Sequence, residues 1–387
     1  PACPGRQAGD GQKLSAGRRS IEQVRAAVIP APHRPVEVRR YPMPVVEQGG
    51  VLLRVLAAEV CGTDVHLSHG RLPETPYPLI PGHVSAGVVE EKGGELSYVD
   101  GSPVAVGDVV TFLDVYGTCG ACWYCLVARA STRCPNRKVY GITVGAEESP
   151  GLSGGWAERL YLRPGTRLIR LPNPVDPELF IGAGCGLPTA LHAIDLANIR
   201  LGDRVLIHGS GPVGLSAAAL ARFSGAGWVG VIGAPAARLE AAKRMGADSA
   251  WNIQETSASE RLSAVRNCAG GRGPDTVIEA SGNPDAIREG CELVRDAGRY
   301  VVVGQYTDNG DVKLNPHRHI NKKHLEVRGC WGSDFSHVYR SVELLARFPG
   351  DWRSLITRSY SLEQAGAAIS DVEALRVVKA VIIPTPD

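Results

Sequence analysis

No stretch of this 387-residue chain approaches the ~20 consecutive apolar residues that a membrane span needs. No charged-then-apolar leader opens it. The two absences argue against a membrane-spanning helix and give the expectation of a cytoplasmic protein. Charge of one sign is lacking too. With 42 Lys and Arg against 40 Asp and Glu, the formal net charge is +2, so no global field steers the chain onto nucleic acid or an anionic surface. No solenoid-type repeat is visible. Phenylalanine is scarce at 5 residues while glycine is plentiful at 46, a balance that suggests many tight turns and close backbone approaches. Hydrophobic residues at 44% and charged residues at 21% exclude low complexity and large-scale disorder. At roughly 150 residues per domain, the length predicts two domains.

What is present begins with ten cysteines: Cys3, Cys61, Cys119, Cys122, Cys125, Cys134, Cys185, Cys268, Cys291 and Cys330. In a chain this long with no leader pattern, metal ligation is a better default than a disulfide scaffold. Four of them form Cys119-x2-Cys122-x2-Cys125-x8-Cys134. Four thiolates match tetrahedral Zn2+, and a closed four-Cys shell leaves no open position, so the expected role is to staple a loop. Four reduced surface thiols or a redox C-x-x-C pair are the alternatives, and the third and fourth cysteines argue against the pair.

The chain changes texture along its length. Residues 1–20 lack apolar periodicity and read as a flexible tail. From Val24 to about Tyr161, short apolar strands such as 51–60, 85–91 and 108–115 are broken by Pro and Gly, which predicts a β-rich domain, a distorted barrel. After Cys185, apolar strands at 204–208, 228–232, 275–280, 299–303 and 325–330 alternate with helical stretches such as 235–245, closed by Gly246. That alternation predicts a doubly wound parallel sheet. From about Phe335 the chain ends in an apolar strand that needs a sheet to join, so it is expected back in the first domain.

Gly209-Ser210-Gly211-Pro212-Val213-Gly214 fits G-x-G-x-x-G directly after the strand Val205–His208 and before a helical run. Gly209 makes the tight turn, Gly211 admits a pyrophosphate, Gly214 lets helix and strand close up, and the helix N-terminus faces the phosphates. The bland alternative is a Gly-rich turn with no ligand. The next strand should end in an acid that holds the adenosine ribose, and Gly233 stands there instead. The missing acid tilts the cofactor toward NADP with NAD kept open, and Asp at 233 would favour NAD. Arg238 is the nearby cation; its bland reading is a solvated first-turn residue.

A dispersed set remains: Cys61-Gly62-Thr63-Asp64-Val65-His66, Gly82-His83, and Cys185. With the four-Cys lobe, the G-C-G-L-P-T block around Cys185 and G-S-G-P-V-G-L, these blocks occur in an order that resembles the zinc-containing medium-chain alcohol dehydrogenases over residues 24–384. The resemblance implies a GroES-like catalytic domain (21–186 and 336–387) with a zinc lobe at 116–138, and a Rossmann domain at 187–335. It implies that Cys61, His83 and Cys185 hold a catalytic zinc with one open position. It also implies that Asp64 orients a ligand, His83 foremost, that Thr63 meets the substrate hydroxyl, that His66 passes its proton to solvent, that Thr189 packs on the nicotinamide, and that Lys379 is a cation near the pyrophosphate. Homodimers or homotetramers are implied. Two departures stand out. Val84 replaces the family's usual Glu, which leaves the site less negative, and x8 before Cys134 is one residue longer than usual.

The expected activity is hydride transfer between an alcohol and NAD(P), with zinc polarising the alcohol oxygen. Val115, four residues before Cys119, matches a pocket position often held by an aromatic, which hints at a branched or cyclic secondary alcohol unless Tyr116 or Trp156 fills the space. One rival is a zinc-independent reductase of the same superfamily. Another is a non-catalytic zinc-lobe protein binding a partner or nucleic acid through Arg129, Arg133, Arg137 and Lys138, a modest basic cluster that reads more readily as a solvated loop.

Overall fold

The structure, a computed structural model, describes residues 23–384; the tail expected at 1–20 lies outside them. Six strands form an all-parallel sheet in the order Ser249–Asn252, Trp228–Gly233, Arg204–His208, Thr276–Glu279, Arg299–Val302, Glu326–Gly329. Helices cover both faces, so the central strands carry apolar residues on both sides. Val205, Leu206, Ile207, Val229, Val231, Val277 and Ile278 are all fully buried. The chain starts in mid-sheet at Arg204–His208, winds outward one way through Ser249–Asn252, then restarts on the other side at Thr276–Glu279. That reversal opens a crevice beyond the carboxyl ends of these two strands, where open α/β sheets bind ligands. Ser249–Asn252 was not expected: Ser-Ala-Trp-Asn has little strand character and sits half-buried at the sheet edge.

The second sheet has seven strands, running Ile356–Tyr360, Lys379–Ile382, Val51–Val60, Ser85–Lys92, Val109–Phe112, Leu168–Arg170, with Arg159–Leu162 also paired to Val51–Val60. The expected strand at 108–115 divides in two. Val109–Phe112 pairs with Leu168–Arg170, and Val115–Gly117 pairs with Lys138–Val139 in the cysteine lobe. The C-terminal strand does return to this sheet. It lies antiparallel to the end of Val51–Val60, with Ala380 opposite Val60 and Val381 opposite Glu59. The strand Lys379–Ile382 is thereby brought beside the residues that lead into Cys61. Among the described residues, no single helix is long and apolar enough to cross a membrane.

Candidate active site and metal centres

Val51–Val60 runs straight into the helix Gly62–Ser68, and Cys61 is the joint. As N-cap, its sulfur accepts the Thr63 N–H at 3.3 Å, while Asp64 reaches back to accept the Cys61 N–H at 2.8 Å. Asp64 therefore steadies Cys61; contrary to expectation, no hydrogen bond joins it to His83. His83 precedes the strand Ser85–Lys92, and Cys185 precedes the helix Gly186–Ala197. The Cys61 sulfur, His83 and the Cys185 sulfur offer ligand atoms all within 4.8 Å of one another, with Cys61 Sγ 3.9 Å from His83 Nε2. Donors on one tetrahedral zinc stand about 3.5–3.8 Å apart, given Zn–S and Zn–N distances of about 2.3 and 2.0 Å, so this set fits the ion.

The charges agree. The Cys185 thiol and the facing His83 hold the Cys61 thiol well below its ordinary range against burial. Burial opposes the charged form of His83, but the Cys61 sulfur and Asp64 outweigh it and lift its pKa to about 10. The pocket thus favours the thiolate of Cys61, the form in which a cysteine ligates a metal. Thr63 and His66 line the same cleft. His66 Nδ1 is buried without a partner, and burial lowers its pKa.

The second cysteine set closes as its spacing suggested. All four sulfurs lie within 4.8 Å of one another, with Cys119–Cys134 and Cys122–Cys125 both at 3.6 Å. That matches the S···S separation of about 3.8 Å for zinc in a sulfur tetrahedron. The 3₁₀ turn Ser131–Arg133 leads directly into Cys134. The backbone N–H groups of Ala121 and Cys122 point at Cys119 and lower its pKa to about 6.

The glycine turn lies between the strand Arg204–His208 and the helix Pro212–Phe223. Gly209 takes φ +126°, and a Cβ on it would stand 2.6 Å from Ala280 C. A Cβ on Gly214 would strike Gly209, 2.8 Å from its carbonyl carbon. Gly211 differs: a Cβ there would meet nothing within 4 Å. The protein leaves that space open, which fits a phosphate-bearing ligand drawn onto the helix N-terminus. Gly211, Pro212, Val213 and Thr189 line the metal cleft, a cavity of about 330 Å³. Gly209, Gly233 and Arg238 line a second cavity of about 480 Å³, which shares Gly211, Ala280 and Ser281 with the first. The two cavities give room for a dinucleotide laid across the turn.

Other expectations need correction. Lys379 does not approach the glycine turn. It is fully buried, its ammonium 2.6 Å from Glu59 Oε1 and 3.0 Å from Ile181 O. Arg238 is no solvated helix residue. It is buried, donates to Val377 O at 2.9 Å, keeps Nε unpartnered, and burial lowers its pKa. Val115 lines a neighbouring cavity, not the metal cleft, while Tyr116 packs on Tyr140 and Trp156 lies in the core. The cleft walls are Phe112, Ile142, Phe180, Tyr306 and Trp331. Arg133 and Arg137, read from sequence as part of a solvated loop, place their guanidinium carbons 5.0 and 5.2 Å from the Trp331 ring. Sequence reasoning also missed Glu59, whose carboxylate accepts the Cys185 N–H at 2.7 Å. A lone acid inside the apolar run VLLRVLAAEV was the available signal.

Comparison with known proteins matches this geometry. The sequence profile of the alcohol dehydrogenase GroES-like domain covers residues 47–173, and that of the zinc-binding dehydrogenases covers 212–347. A 5-exo-hydroxycamphor dehydrogenase of Pseudomonas putida is 32% identical over 369 residues, 94% of this chain and 100% of its own. The crystal structure of an alcohol dehydrogenase from Thermotoga maritima superposes with a TM-score of 0.90 at 34% identity, covering 94% of this chain and 100% of that one. An NADP-bound structure from Sinorhizobium meliloti, described as a zinc-binding dehydrogenase, gives 0.81 at 27% identity, covering 94% and 100%.

Proposed function

Because the chain belongs to the zinc-type medium-chain alcohol dehydrogenases, we propose a division of labour among its residues. The enzyme transfers hydride between an alcohol and NAD(P). In our reading Cys61, His83 and Cys185 hold a catalytic zinc, and Cys119, Cys122, Cys125 and Cys134 hold a structural one. When bound, the catalytic ion polarises the alcohol oxygen and eases its ionisation. The chain does the rest. Thr63 orients the substrate hydroxyl, and His66, whose pKa burial lowers, takes up the proton on its way to solvent. Thr189 packs against the nicotinamide, and the turn at Gly209–Gly214 holds the pyrophosphate. The observation that carries this reading is that one cleft is lined at once by the sulfur–imidazole triad and by Gly211, Pro212 and Val213. Hydride donor and acceptor can meet only where both halves share a space.

For the substrate we propose a secondary or cyclic alcohol. Phe112, Ile142, Phe180 and Trp331 offer apolar walls, and the hydroxycamphor dehydrogenase supports a bulky substrate. For the cofactor we propose NADP. Gly233 supplies no acid to repel a 2′-phosphate, and Arg238 is a buried guanidinium in the first turn of its helix with no acidic partner among the described residues. A cation there opposes the helix dipole, so an anion placed beside it would be welcome. The NADP-bound neighbour supports this choice. The test is a panel of alcohols and ketones with both cofactors, read at the nicotinamide absorbance, together with metal analysis. Turnover with about two zinc per chain supports the reading; about one zinc and reduction of activated double bonds would favour the zinc-independent rival.

A further inference from the structure

Glu59 and Lys379 are both completely buried, yet their charged atoms are all engaged. Glu59 Oε1 meets Lys379 Nζ at 2.6 Å and the Cys185 sulfur at 3.5 Å, Glu59 Oε2 accepts the Cys185 N–H at 2.7 Å, and Lys379 donates to Ile181 O at 3.0 Å. The packing is built around them: a Cβ on Gly184, which takes φ +47°, would stand 2.5 Å from the Glu59 carboxyl carbon. Folding alone does not explain two ions here, since an apolar pair of similar volume serves a core as well or better. What the pair touches is Cys185. In the metal-free site the Cys185 thiol can donate to Glu59. Once it ligates a metal as a thiolate that donor is gone, and a carboxylate 3.5 Å away would repel the sulfur and compete for its place. Lys379 cancels that charge while leaving Glu59 its grip on the Cys185 N–H.

We propose that the Glu59–Lys379 pair is a positioning device for the metal ligand Cys185, with Glu59 fixing its backbone and Lys379 neutralising Glu59 so that the thiolate can stay. This rests on the zinc assignment made above. The device reaches Cys185 from the strand Val51–Val60 and from the strand Lys379–Ile382, so that late strand helps define the cleft metal site.

The test uses the full chain loaded with zinc and titrated with a chelator, with the zinc remaining per chain measured. Wild type should lose its zinc in two separable steps; a single zinc per chain would defeat the zinc assignment itself, before any variant is compared. Lys379→Met should release the cleft zinc with ~10–100-fold weaker affinity, the usual range for a lost second-layer partner. The four-Cys zinc should be held as in wild type, which reports a folded chain. The double variant Glu59→Gln/Lys379→Met should recover most of the loss, because the introduced carboxamide still accepts the Cys185 N–H through its oxygen and can donate to the thiolate through its nitrogen. If Lys379→Met does not accumulate, the double variant decides alone: cleft-zinc affinity near wild type supports the device. Unchanged affinity in Lys379→Met, or a double variant weakened ~10-fold or more, would overturn it. Cobalt substitution gives a second readout, since the thiolate-to-cobalt band should weaken in Lys379→Met and return in the double variant.

Discussion

Ser210 closes over Gly233. Its hydroxyl bonds both the N–H and the carbonyl of Ala234 at 3.1 Å, and a Cβ on Gly233 would stand 2.6 Å from Ser210 Cβ and 2.9 Å from its backbone nitrogen. Glycine is therefore required by the turn's own packing, whatever nucleotide it binds. This overturns the expectation that Asp at 233 simply favours NAD. Gly233→Asp should weaken both cofactors and cost about 1–3 kcal/mol of stability through overpacking. Thermal melting and kcat/KM with each cofactor check it; a clean switch to NAD at unchanged Tm would show that Ser210 yields.

Arg238 is the better handle on cofactor choice. Its guanidinium is buried beside Gly233 and, among the described residues, is tied only to Val377 O through one N–H. Arg238→Gln preserves a donor for that carbonyl and removes the charge. The NADP-to-NAD ratio of kcat/KM should fall by one to two orders of magnitude, the equivalent of about 1.5–3 kcal/mol for a charged hydrogen bond. A wild-type enzyme that already prefers NAD would mean that Arg238 serves packing alone.

The legible part of this protein was its repeating pattern. Apolar strands alternating with helices gave the parallel sheet, because both faces of such strands must be buried and the pattern is continuous. Cysteine spacing gave the four-sulfur lobe, because its ligands are local. Side-chain direction was not legible. Lys379 sits on the last strand, and only the antiparallel pairing of Val381 with Glu59 brings it behind Cys185 rather than toward the glycine turn. Arg238 occupies a first helical turn, where charges are usually solvated, but the segment at Val377 covers it. Val115 follows the break at Leu113-Asp114, where the chain leaves the large sheet for the cysteine lobe, and so turns away from the cleft.

The two cysteine sets should separate activity from stability. Cys61→Ser or His83→Ala removes a donor from a site of three and should abolish turnover in a folded protein. Cys122→Ser opens a closed four-sulfur shell in a lobe with little regular structure. It should lower stability by about 3 kcal/mol or more, the scale of a lost structural metal. Zinc content, melting and turnover measured on the same samples check both; an active Cys61→Ser enzyme, or a Cys122→Ser protein with unchanged melting and zinc, would contradict the assignment.

His66 sets the expected pH dependence. Burial is the main cause that lowers its pKa from the ordinary 6.5, and Arg71 and His69 push the same way against the Cys61 sulfur. Only the neutral ring can accept a proton, so alcohol oxidation needs His66 deprotonated. A lowered pKa keeps it deprotonated further into acid, so the acid limb of kcat/KM for oxidation should fall below pH 6.5. Carbonyl reduction needs the proton returned, and its rate should rise as pH falls through the same range. Its Nδ1 has no competing partner among the described residues, which leaves the ring free for transfer. His66→Gln should remove the limb and slow oxidation by about 10²-fold, the low end for a positioned proton acceptor, since water can replace it in part. An acid limb that persists unchanged in His66→Gln would assign the titration to another group and take His66 out of the proton path.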